Sequence, residues 1–441
     1  MFDTNSHNEY NIFIKYRTGG MNLKTLAIIG GGISGCSAAI ESARYFKGKN
    51  IKYNIVIFES LPYVCKKLLV TGNGRCNILN EDASAENYHG DPQFIKSVFS
   101  AFNIQSNKEF LKSIGILTQT EEAGRIYPMS GRASSVRDAV ENELEQLNIK
   151  VISGEKIESV RKNGGSFILN NKYTADCLII TGGGMSSPAH GSDGSCIDIL
   201  SSLSFKIKTP VPALVPLIFE KCDKSLKGVR AMGSVSVLIN GKTADKSFGE
   251  LQFTDYGLSG IPAMEVSASA SRLLNNKNSC VTARISLVPQ LNEKQIIDFI
   301  LSRKKASPGL SSASVLCGFM NEKLAVSKLK KAKIQPSAKI ETVGKNDIKK
   351  LADIIKNEDF TIKSTAPFNM SQVTSGGVVT DEFFTSMQSK KMPSLFAAGE
   401  VLDVDGKCGG YNLSWCISSG RTAGLAAAKY IIGESKHAQN K

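Results

Sequence analysis

The chain has 441 residues, of which 41% are hydrophobic and 21% are charged, and its formal net charge is +14. This length predicts two or three domains, and the ordinary composition argues against a disordered chain. We expect no membrane span, because no run of eighteen apolar residues occurs. The ten cysteines form no C-x-x-C pair, which argues against a dithiol redox centre and against a zinc ribbon.

The first twenty residues are polar and lack the apolar core of a secretory signal. Met21 then opens the segment MNLKTLAIIGGG, which is typical of the start of a strand-first domain. We interpret residues 1–20 as a loose tail or a mis-called start, which the intact mass of the native protein would test. Without a signal, we expect a cytoplasmic protein whose thiols are free.

A strand, a glycine turn, a helix and a second strand are predicted next. The apolar run TLAII is typical of a buried parallel strand, and Gly30, Gly32 and Gly35 then form G-x-G-x-x-G before a stretch of helix formers. The second strand, YNIVIFES, ends at Glu59. In this context the motif predicts a pyrophosphate held at the helix N-terminus and a ribose bound by Glu59. A glycine turn without a ligand is the alternative.

Two later apolar runs also lead into glycines, at 176–184 and at 394–406, and a helix is predicted over 418–433. Between the runs, residues 206–365 open with prolines and continue with alternating segments and lysine-rich helices. This predicts an inserted domain with a β part and a helical part, so that the outer domain comprises 21–205 and 366–441. The return to a strand, a glycine and an acid after the insertion favours FAD over NAD. The incomplete second glycine turn argues against a dedicated NAD(P)H domain.

One predicted helix carries a dense group of basic residues: Lys323, Lys328, Lys330, Lys331 and Lys333. We interpret it as a solvated face, because the other lysines are dispersed and no zinc finger or aromatic RNA-binding signature accompanies it. We therefore do not expect a nucleic-acid partner. The net charge of +14 keeps an RNA-modifying or RNA-binding protein open as an alternative.

The segment KKLLVTGNGRCNILN, residues 66–80, combines flexible glycines with basic residues, a thiol and an amide. Such a loop can wrap a pyrophosphate and reach a flavin ring, although a basic surface loop is the alternative. Together with five further segments it resembles the BaiN-type flavoproteins, also called the aminoacetone oxidase family. Those segments are 124–136, 181–194, 249–262, 372–378 and 395–424, and the resemblance extends from about Leu26 to the C-terminus.

The resemblance implies an α/β fold: a Rossmann-like FAD-binding domain of the glutathione-reductase type with an inserted β-rich and helical domain. It also implies one non-covalently bound FAD. The residues implied to bind this cofactor are Gly30, Gly32, Ser34, Gly35, Glu59, Lys67, Arg75, Cys76, Asn77, Thr181, Gly182, Gly399, Glu400, Asp403, Gly410, Asn412 and Leu413.

For the reaction, we predict hydride transfer between the flavin and a small organic substrate. Reduction of a conjugated carbonyl compound or enone is favoured, with NAD(P)H as a candidate transient electron donor. A small-amine oxidase and a flavin-dependent RNA-modifying enzyme are the alternatives. Backbone N–H groups between Gly410 and Leu413 are expected at a helix N-terminus, where they would stabilise negative charge on the flavin ring. The oligomeric state stays open.

The candidate substrate pocket contains Arg125 and Tyr127 with Thr254 and Tyr256, and either tyrosine could donate a proton. A buried tyrosine with a satisfied hydroxyl is the alternative for each. His190 is the histidine singled out for acid–base work, although a structural role suits it equally well. Asp403 and Asp405 could bind a metal, but no third ligand supports that, so no metal is expected.

Overall fold

The computed structural model describes residues 23–275 and 280–434. The chain divides into two compact units: unit 1 is Met1–Pro210 with Val373–Lys441, and unit 2 is Val211–Gln372. The insertion predicted at 206–365 covers most of unit 2. The predicted tail, residues 1–20, lies outside the described residues.

The described residues form twelve α-helices: α1 (Ile33–Gly48), α2 (Pro92–Ala101), α3 (Ile104–Ser113), α4 (Ala133–Gln146), α5 (Ser195–Ser202), α6 (Ile261–Glu265), α7 (Ser267–Leu274), α8 (Glu293–Ala306), α9 (Ser312–Cys317), α10 (Glu322–Lys331), α11 (Lys345–Lys356) and α12 (Tyr411–Ile431). The same residues form 21 β-strands: β1 (Thr25–Ile29), β2 (Asn54–Glu59), β3 (Leu79–Asn80), β4 (Tyr88–His89), β5 (Thr118–Thr120), β6 (Arg125–Pro128), β7 (Lys150–Ser153), β8 (Val160–Asn163), β9 (Ser166–Leu169), β10 (Tyr173–Ala175), β11 (Cys177–Ile180), β12 (Ile207–Ala213), β13 (Leu217–Phe219), β14 (Arg230–Ile239), β15 (Lys242–Phe253), β16 (Gly257–Ser259), β17 (Val281–Leu287), β18 (Glu358–Thr365), β19 (Val373–Val378), β20 (Leu395–Ala397) and β21 (Asp405–Gly406).

Unit 1 is built on a five-stranded parallel sheet in the order β20-β11-β1-β2-β7. Strands β1, β2 and β11 are mostly apolar and almost entirely buried, as expected when both faces of a parallel sheet are covered. This confirms the predicted Rossmann-like α/β fold. Strand β1 pairs with β2 on one side and with β11 on the other. The chain therefore first adds strands on one side of β1 and later adds strands on its other side, while all strands stay parallel. Ligands of such sheets bind in the crevice at the carboxyl ends of these strands.

Helices α1 and α12 of unit 1 pack closely because two glycines on α12 leave room for the backbone of α1. A Cβ added to Gly420 would lie 2.3 Å from the carbonyl oxygen of Ser34, and one added to Gly424 would lie 2.2 Å from that of Ala38. The predicted helix over 418–433 in fact begins earlier, at Tyr411, because Gly410 forms its N-cap with φ of 96°.

Unit 2 contains a closed antiparallel barrel in the order β13-β16-β15-β14-β17-β18. Helices α8 to α11 lie between β17 and β18 in the sequence, so the chain leaves the barrel and returns to close it. No helix in the described parts of either unit combines the length and apolar character needed to cross a bilayer.

The lysine-rich helix α10 corrects one prediction, because Lys328 is only 1% exposed and does not belong to a solvated face. It lies on the buried side of the helix with Leu324 and Leu329. Its ammonium group pairs with the buried carboxylate of Glu358, which also accepts from Lys331 at 2.7 Å. The sequence pattern did not reveal this partner, since Glu358 lies on β18.

Candidate cofactor and substrate site

The glycines of the G-x-G-x-x-G turn differ in whether the fold leaves room for a side chain. Gly30 has φ of +103°, and a Cβ on it would lie 2.7 Å from the carbonyl oxygen of Thr181. A Cβ on Gly35 would lie 2.0 Å from the carbonyl oxygen of Gly30. A Cβ on Gly32, in contrast, would meet no atom of the described residues within 4 Å. The fold therefore requires Gly30 and Gly35, whereas Gly32 borders open space.

The start of α1 presents polar groups that the protein leaves unsatisfied. Gly32 is the N-cap, and no side chain of the described residues caps the helix. The hydroxyl of Ser34 is buried without a hydrogen-bond partner among the described residues. Free N–H groups at a helix N-terminus, with their partial positive charge, are suited to a diphosphate. The residues present thus fit the diphosphate of FAD.

Glu59 lies at the end of β2 and is only 7% exposed. One carboxylate oxygen accepts from the N–H of Gly31 at 2.7 Å, and the other accepts from that of Leu61 at 2.8 Å. The oxygen bonded to Leu61 also accepts from the hydroxyl of Ser60 at 3.3 Å. The oxygen bonded to Gly31 has a second lone pair, so Glu59 can support the glycine turn and still accept from a ribose hydroxyl. Nearby, the backbone of Gly191 approaches this carboxylate.

The segment around Gly191 contains two of the buried atoms without a partner among the described residues: Nδ1 of His190 and the hydroxyl of Ser192. A Cβ on Gly183 would lie 2.7 Å from that hydroxyl, so the second glycine turn adjoins it. Thr181 donates to the carbonyl oxygen of Gly30 at 2.9 Å, and Gly182 packs against Cys196. Thr181 and Gly182 are thereby placed against the first glycine turn.

Glu400 joins three segments of unit 1. Its Oε2 accepts from Nζ of Lys67 at 2.8 Å, and its Oε1 accepts from the N–H of Thr374 at 2.7 Å. Lys67 belongs to the 3-10 segment Lys66–Gly74, and Glu400 to Gly399–Val401, directly after β20. The loop Lys66–Gly74 and the segment that begins at Gly399 therefore lie side by side. The sequence predicted that both bind the same cofactor.

The second half of the loop places its side chains in different environments. Cys76 is fully buried, which raises the pKa of its thiol to about 12 and keeps it protonated. The buried Oδ1 of Asn77 has no partner among the described residues and faces Gly410. Arg75 pairs with Glu121, and its guanidinium carbon lies 4.2 Å from the ring centroid of Tyr127. Asn77 is thus the member of this group with an unused polar atom.

Hydrogen bonds between its own side chains and its own backbone hold the segment from Gly399 to Trp415. The carbonyl oxygen of Gly399 accepts from the indole of Trp415 at 3.1 Å. The side chain of Asn412 accepts from the N–H of Gly406 at 2.7 Å and donates to its carbonyl oxygen at 2.9 Å, which closes the turn before α12. Leu413 is half-buried against the core of unit 1. Gly410 and this turn define where the N–H groups of α12 begin.

Two acidic residues of this segment were considered for a metal. Asp403 pairs with Lys208 at 2.8 Å, and its other oxygen is buried without a partner among the described residues. Asp405 accepts from the hydroxyl of Ser375. Within residues 23–275 and 280–434, no group of three or more His, Cys, Asp or Glu side chains could hold a metal ion.

The substrate-pocket candidates are divided between the two units. In unit 1, Tyr127 on β6 is 8% exposed and Arg125 is half-buried, with no hydrogen bond or ion pair from its guanidinium to any described residue. In unit 2, Tyr256 is 38% exposed on the connection between β15 and β16. The hydroxyl of Thr254 accepts from the N–H of Gly257 at 3.0 Å, so it holds that connection.

One histidine that sequence reasoning missed has a partner suited to acid–base work. Nδ1 of His89 lies 2.9 Å from Oδ2 of Asp405, which is 316 residues away in the sequence. The side chain of His89 is 41% exposed, whereas that of Asp405 is 3% exposed. Only the pairing of β4 with β21 brings the two together, so no local sequence signal could have found them.

Comparison with known proteins shows similarity along nearly the whole chain. The HI0933-like protein Rossmann domain matches residues 24–426. A Clostridium scindens protein named 3-dehydro-bile acid delta(4,6)-reductase is 33% identical over 413 residues, which cover 92% of this chain and 100% of that protein.

Two further relatives are both named ribosomal RNA dihydrouridine synthase. The one from Haemophilus influenzae is 25% identical over 414 residues, covering 91% of this chain and 98% of that protein. The one from Escherichia coli is 26% identical over 401 residues, covering 89% and 95%. Full-length matches of this kind include both units of the fold.

Proposed function

The chain belongs to the HI0933-like family of Rossmann-fold FAD-binding proteins, and we propose that it reduces a carbon–carbon double bond conjugated to a carbonyl group. Family membership confirms the resemblance found in the sequence, and the chain is an FAD-dependent oxidoreductase. The substrate, the electron donor and the direction of hydride flow are the proposal.

The observation that carries this proposal is the 33% identity to the bile-acid reductase along its whole length. That name describes double bonds conjugated to a 3-oxo group. The dihydrouridine synthases are named for a chemically related product, because dihydrouridine is uridine whose C5=C6 bond, conjugated to the C4 carbonyl, has been reduced. Reduction of such a bond is therefore the chemistry that both names share.

Different residues of unit 1 would bind different parts of the cofactor. The start of α1, with Gly32 and Ser34, would bind the diphosphate, and Glu59 would accept from the adenosine ribose. The N–H groups at the start of α12 would stabilise negative charge on the ring. FAD, when bound, supplies the hydride at its N5 atom. We propose NADH or NADPH as the electron donor.

Arg125 and Tyr127 would act on the substrate carbonyl. The guanidinium of Arg125 makes no hydrogen bond to any described residue and can polarise a carbonyl oxygen. Tyr127 can donate a hydrogen bond to the same oxygen, and the Arg75 guanidinium stacked on its ring keeps the ring in place. A catalytic role for Tyr256 stays a prediction from sequence.

A second candidate substrate is a uridine in ribosomal RNA. The two dihydrouridine synthase relatives favour it, and the net charge of +14 would assist binding to a polyanion. The reaction at the flavin would be the same. The two candidates differ in substrate size and in how strongly salt weakens binding.

The test separates the candidates within one experiment. The FAD-loaded protein is reduced anaerobically with NADH, NADPH or dithionite and mixed with a steroid 4,6-dien-3-one or with a ribosomal RNA transcript. We expect the dienone to restore the oxidised flavin spectrum and to gain two hydrogens by mass spectrometry. Reoxidation by RNA alone, with steep salt dependence, would favour the second candidate. No reoxidation by either compound would refute the proposal.

A further inference from the structure

We infer that His89, held by the buried carboxylate of Asp405, delivers the proton that completes reduction of the double bond. This inference rests on the proposed function and names one further catalytic residue for it. His89 is not among the candidate residues predicted from the sequence.

The histidine is oriented from one side by an acid that is itself fixed. Nδ1 of His89 lies 2.9 Å from Oδ2 of Asp405, and the hydroxyl of Ser375 donates to Oδ1 of the same carboxylate at 2.5 Å. Asp405 is 3% exposed, so its charge acts in a region of low dielectric constant. A buried carboxylate in this position fixes the imidazole tautomer and stabilises the imidazolium.

His89 also lies near the start of α12, whose N–H groups are proposed to stabilise negative charge on the flavin ring. The antiparallel pair of β4 and β21 places His89 opposite Asp405 and Tyr88 opposite Gly406. The hydroxyl of Tyr88 donates to the carbonyl oxygen of Tyr411 at 2.8 Å, which ties this pair to the first residue of α12. The segment follows the carboxyl end of β20, the edge where ligands of parallel sheets bind.

The reaction requires an acid of suitable strength. A hydride adds to the β-carbon, the electron pair of the double bond moves towards the carbonyl oxygen, and a proton then adds to the α-carbon. The two electrons come from the reduced flavin, and the proton comes from Nε2 of the His89 imidazolium, which becomes neutral imidazole. Because the side chain of His89 is 41% exposed, the imidazole can regain a proton from solvent.

The structure favours His89 over the other proton donors considered. An ordinary imidazolium is a stronger acid than an ordinary phenol by about 3.5 pKa units, so a histidine is in general the better general acid near neutral pH. His190 has a buried Nδ1 without a partner among the described residues, so no acid orients its ring. His89 combines orientation with access to solvent.

The test compares two acceptors of electrons on the same reduced enzyme. His89→Gln should slow anaerobic reoxidation by the dienone, or by the RNA if RNA is the substrate, about 100-fold or more, the lower end of general acid catalysis. Reoxidation by ferricyanide takes electrons without protonating carbon, so it should stay within about twofold of wild type. Tyr127→Phe is the matched variant for the rival donor and should slow the organic substrate less.

Asp405→Asn tests the positioning role. The hydroxyl of Ser375 would keep the amide oxygen on its own side, so the amide NH2 would face His89 and reverse its tautomer. We expect slower reduction of the organic substrate and unchanged ferricyanide reoxidation. Nitrogen-15 NMR should show His89, identified by its loss in His89→Gln, protonated at Nδ1 in the neutral wild type and at Nε2 in Asp405→Asn.

Three outcomes would overturn the inference. The first is that His89→Gln slows both acceptors equally, as a purely structural ion pair would. The second is that His89→Gln slows neither acceptor, and the third is that Asp405→Asn leaves the tautomer unchanged. If the reduced wild-type enzyme is reoxidised by neither organic substrate, the proposed function falls and this inference falls with it. If wild type is active and one of the three outcomes holds, only the inference falls.

Discussion

Replacing Gly32 by alanine would separate what the fold needs from what the cofactor needs. A Cβ on Gly32 would meet no atom within 4 Å, and its φ of −69° with ψ of 176° is open to alanine. Loss of chain entropy in the unfolded state stabilises by about 0.4–1 kcal/mol, whereas an N-cap position prefers glycine to alanine. These effects oppose each other, so the free energy of unfolding should change by less than about 1 kcal/mol.

FAD binding should respond differently to the same methyl group. The methyl would occupy the space through which the backbone of the turn approaches the diphosphate. Loss of one hydrogen bond to a charged group costs about 1.5–3 kcal/mol. We therefore expect the Kd for FAD to rise by about 10- to 150-fold.

The assay uses four proteins: wild type, Gly32→Ala, Gly48→Ala and Gly35→Ala. Urea unfolding of the FAD-free proteins gives stability, and titration of flavin fluorescence gives the Kd. Gly48 ends α1 and an added Cβ would meet no described atom within 4 Å, so Gly48→Ala should keep the wild-type Kd for FAD and raise the free energy of unfolding by at most about 1 kcal/mol. Gly35→Ala should lose stability, because its Cβ would lie 2.0 Å from a backbone oxygen. Wild-type FAD affinity in Gly32→Ala, or instability like that of Gly35→Ala, would refute the reasoning.

Three further predictions concern packing, a buried charge and thiol reactivity. Gly424→Val should lower the free energy of unfolding by about 3 kcal/mol, since its Cβ would lie 2.2 Å from a backbone oxygen of α1. Thermal unfolding measures this loss, and a wild-type Tm would contradict the prediction. Lys328→Ala should lower the free energy of unfolding in urea by about 3–5 kcal/mol, because it leaves the buried Glu358 with one half-exposed partner. Lys331→Ala should lower it by about 1 kcal/mol or less. Equal losses in the two variants would argue against this account. Burial raises the pKa of Cys76 to about 12, so its thiol stays protonated near neutral pH. Iodoacetamide followed by peptide mass spectrometry should therefore label native protein at the exposed Cys280 and Cys317 but label Cys76 only after unfolding, and labelling of native Cys76 would contradict this.

The parts of the fold that depend on neighbouring residues were predictable from the sequence. The run TLAII is buried on both faces as β1, and the glycine turn leads directly into α1, because both signals lie within one short segment. The barrel of unit 2 could not be predicted as a closed structure. Its closure pairs Leu217 with Thr365, and four helices separate β17 from β18 along the chain. Closure depends on that long-range pairing, which local patterns do not specify.

The candidate site shows the same division between local and long-range information. Motif spacing predicted the glycine turn, and the structure adds that Gly32 borders open space while Gly35 does not. Sequence reasoning singled out His190 for acid–base work, although its loop position after Pro188 suits a structural role equally well. A histidine acts in acid–base chemistry when another group orients it, and this depends on the fold rather than on neighbouring residues. Asp405 provides that orientation for His89 at 2.9 Å, so His89, which the sequence did not indicate, should be tested before His190.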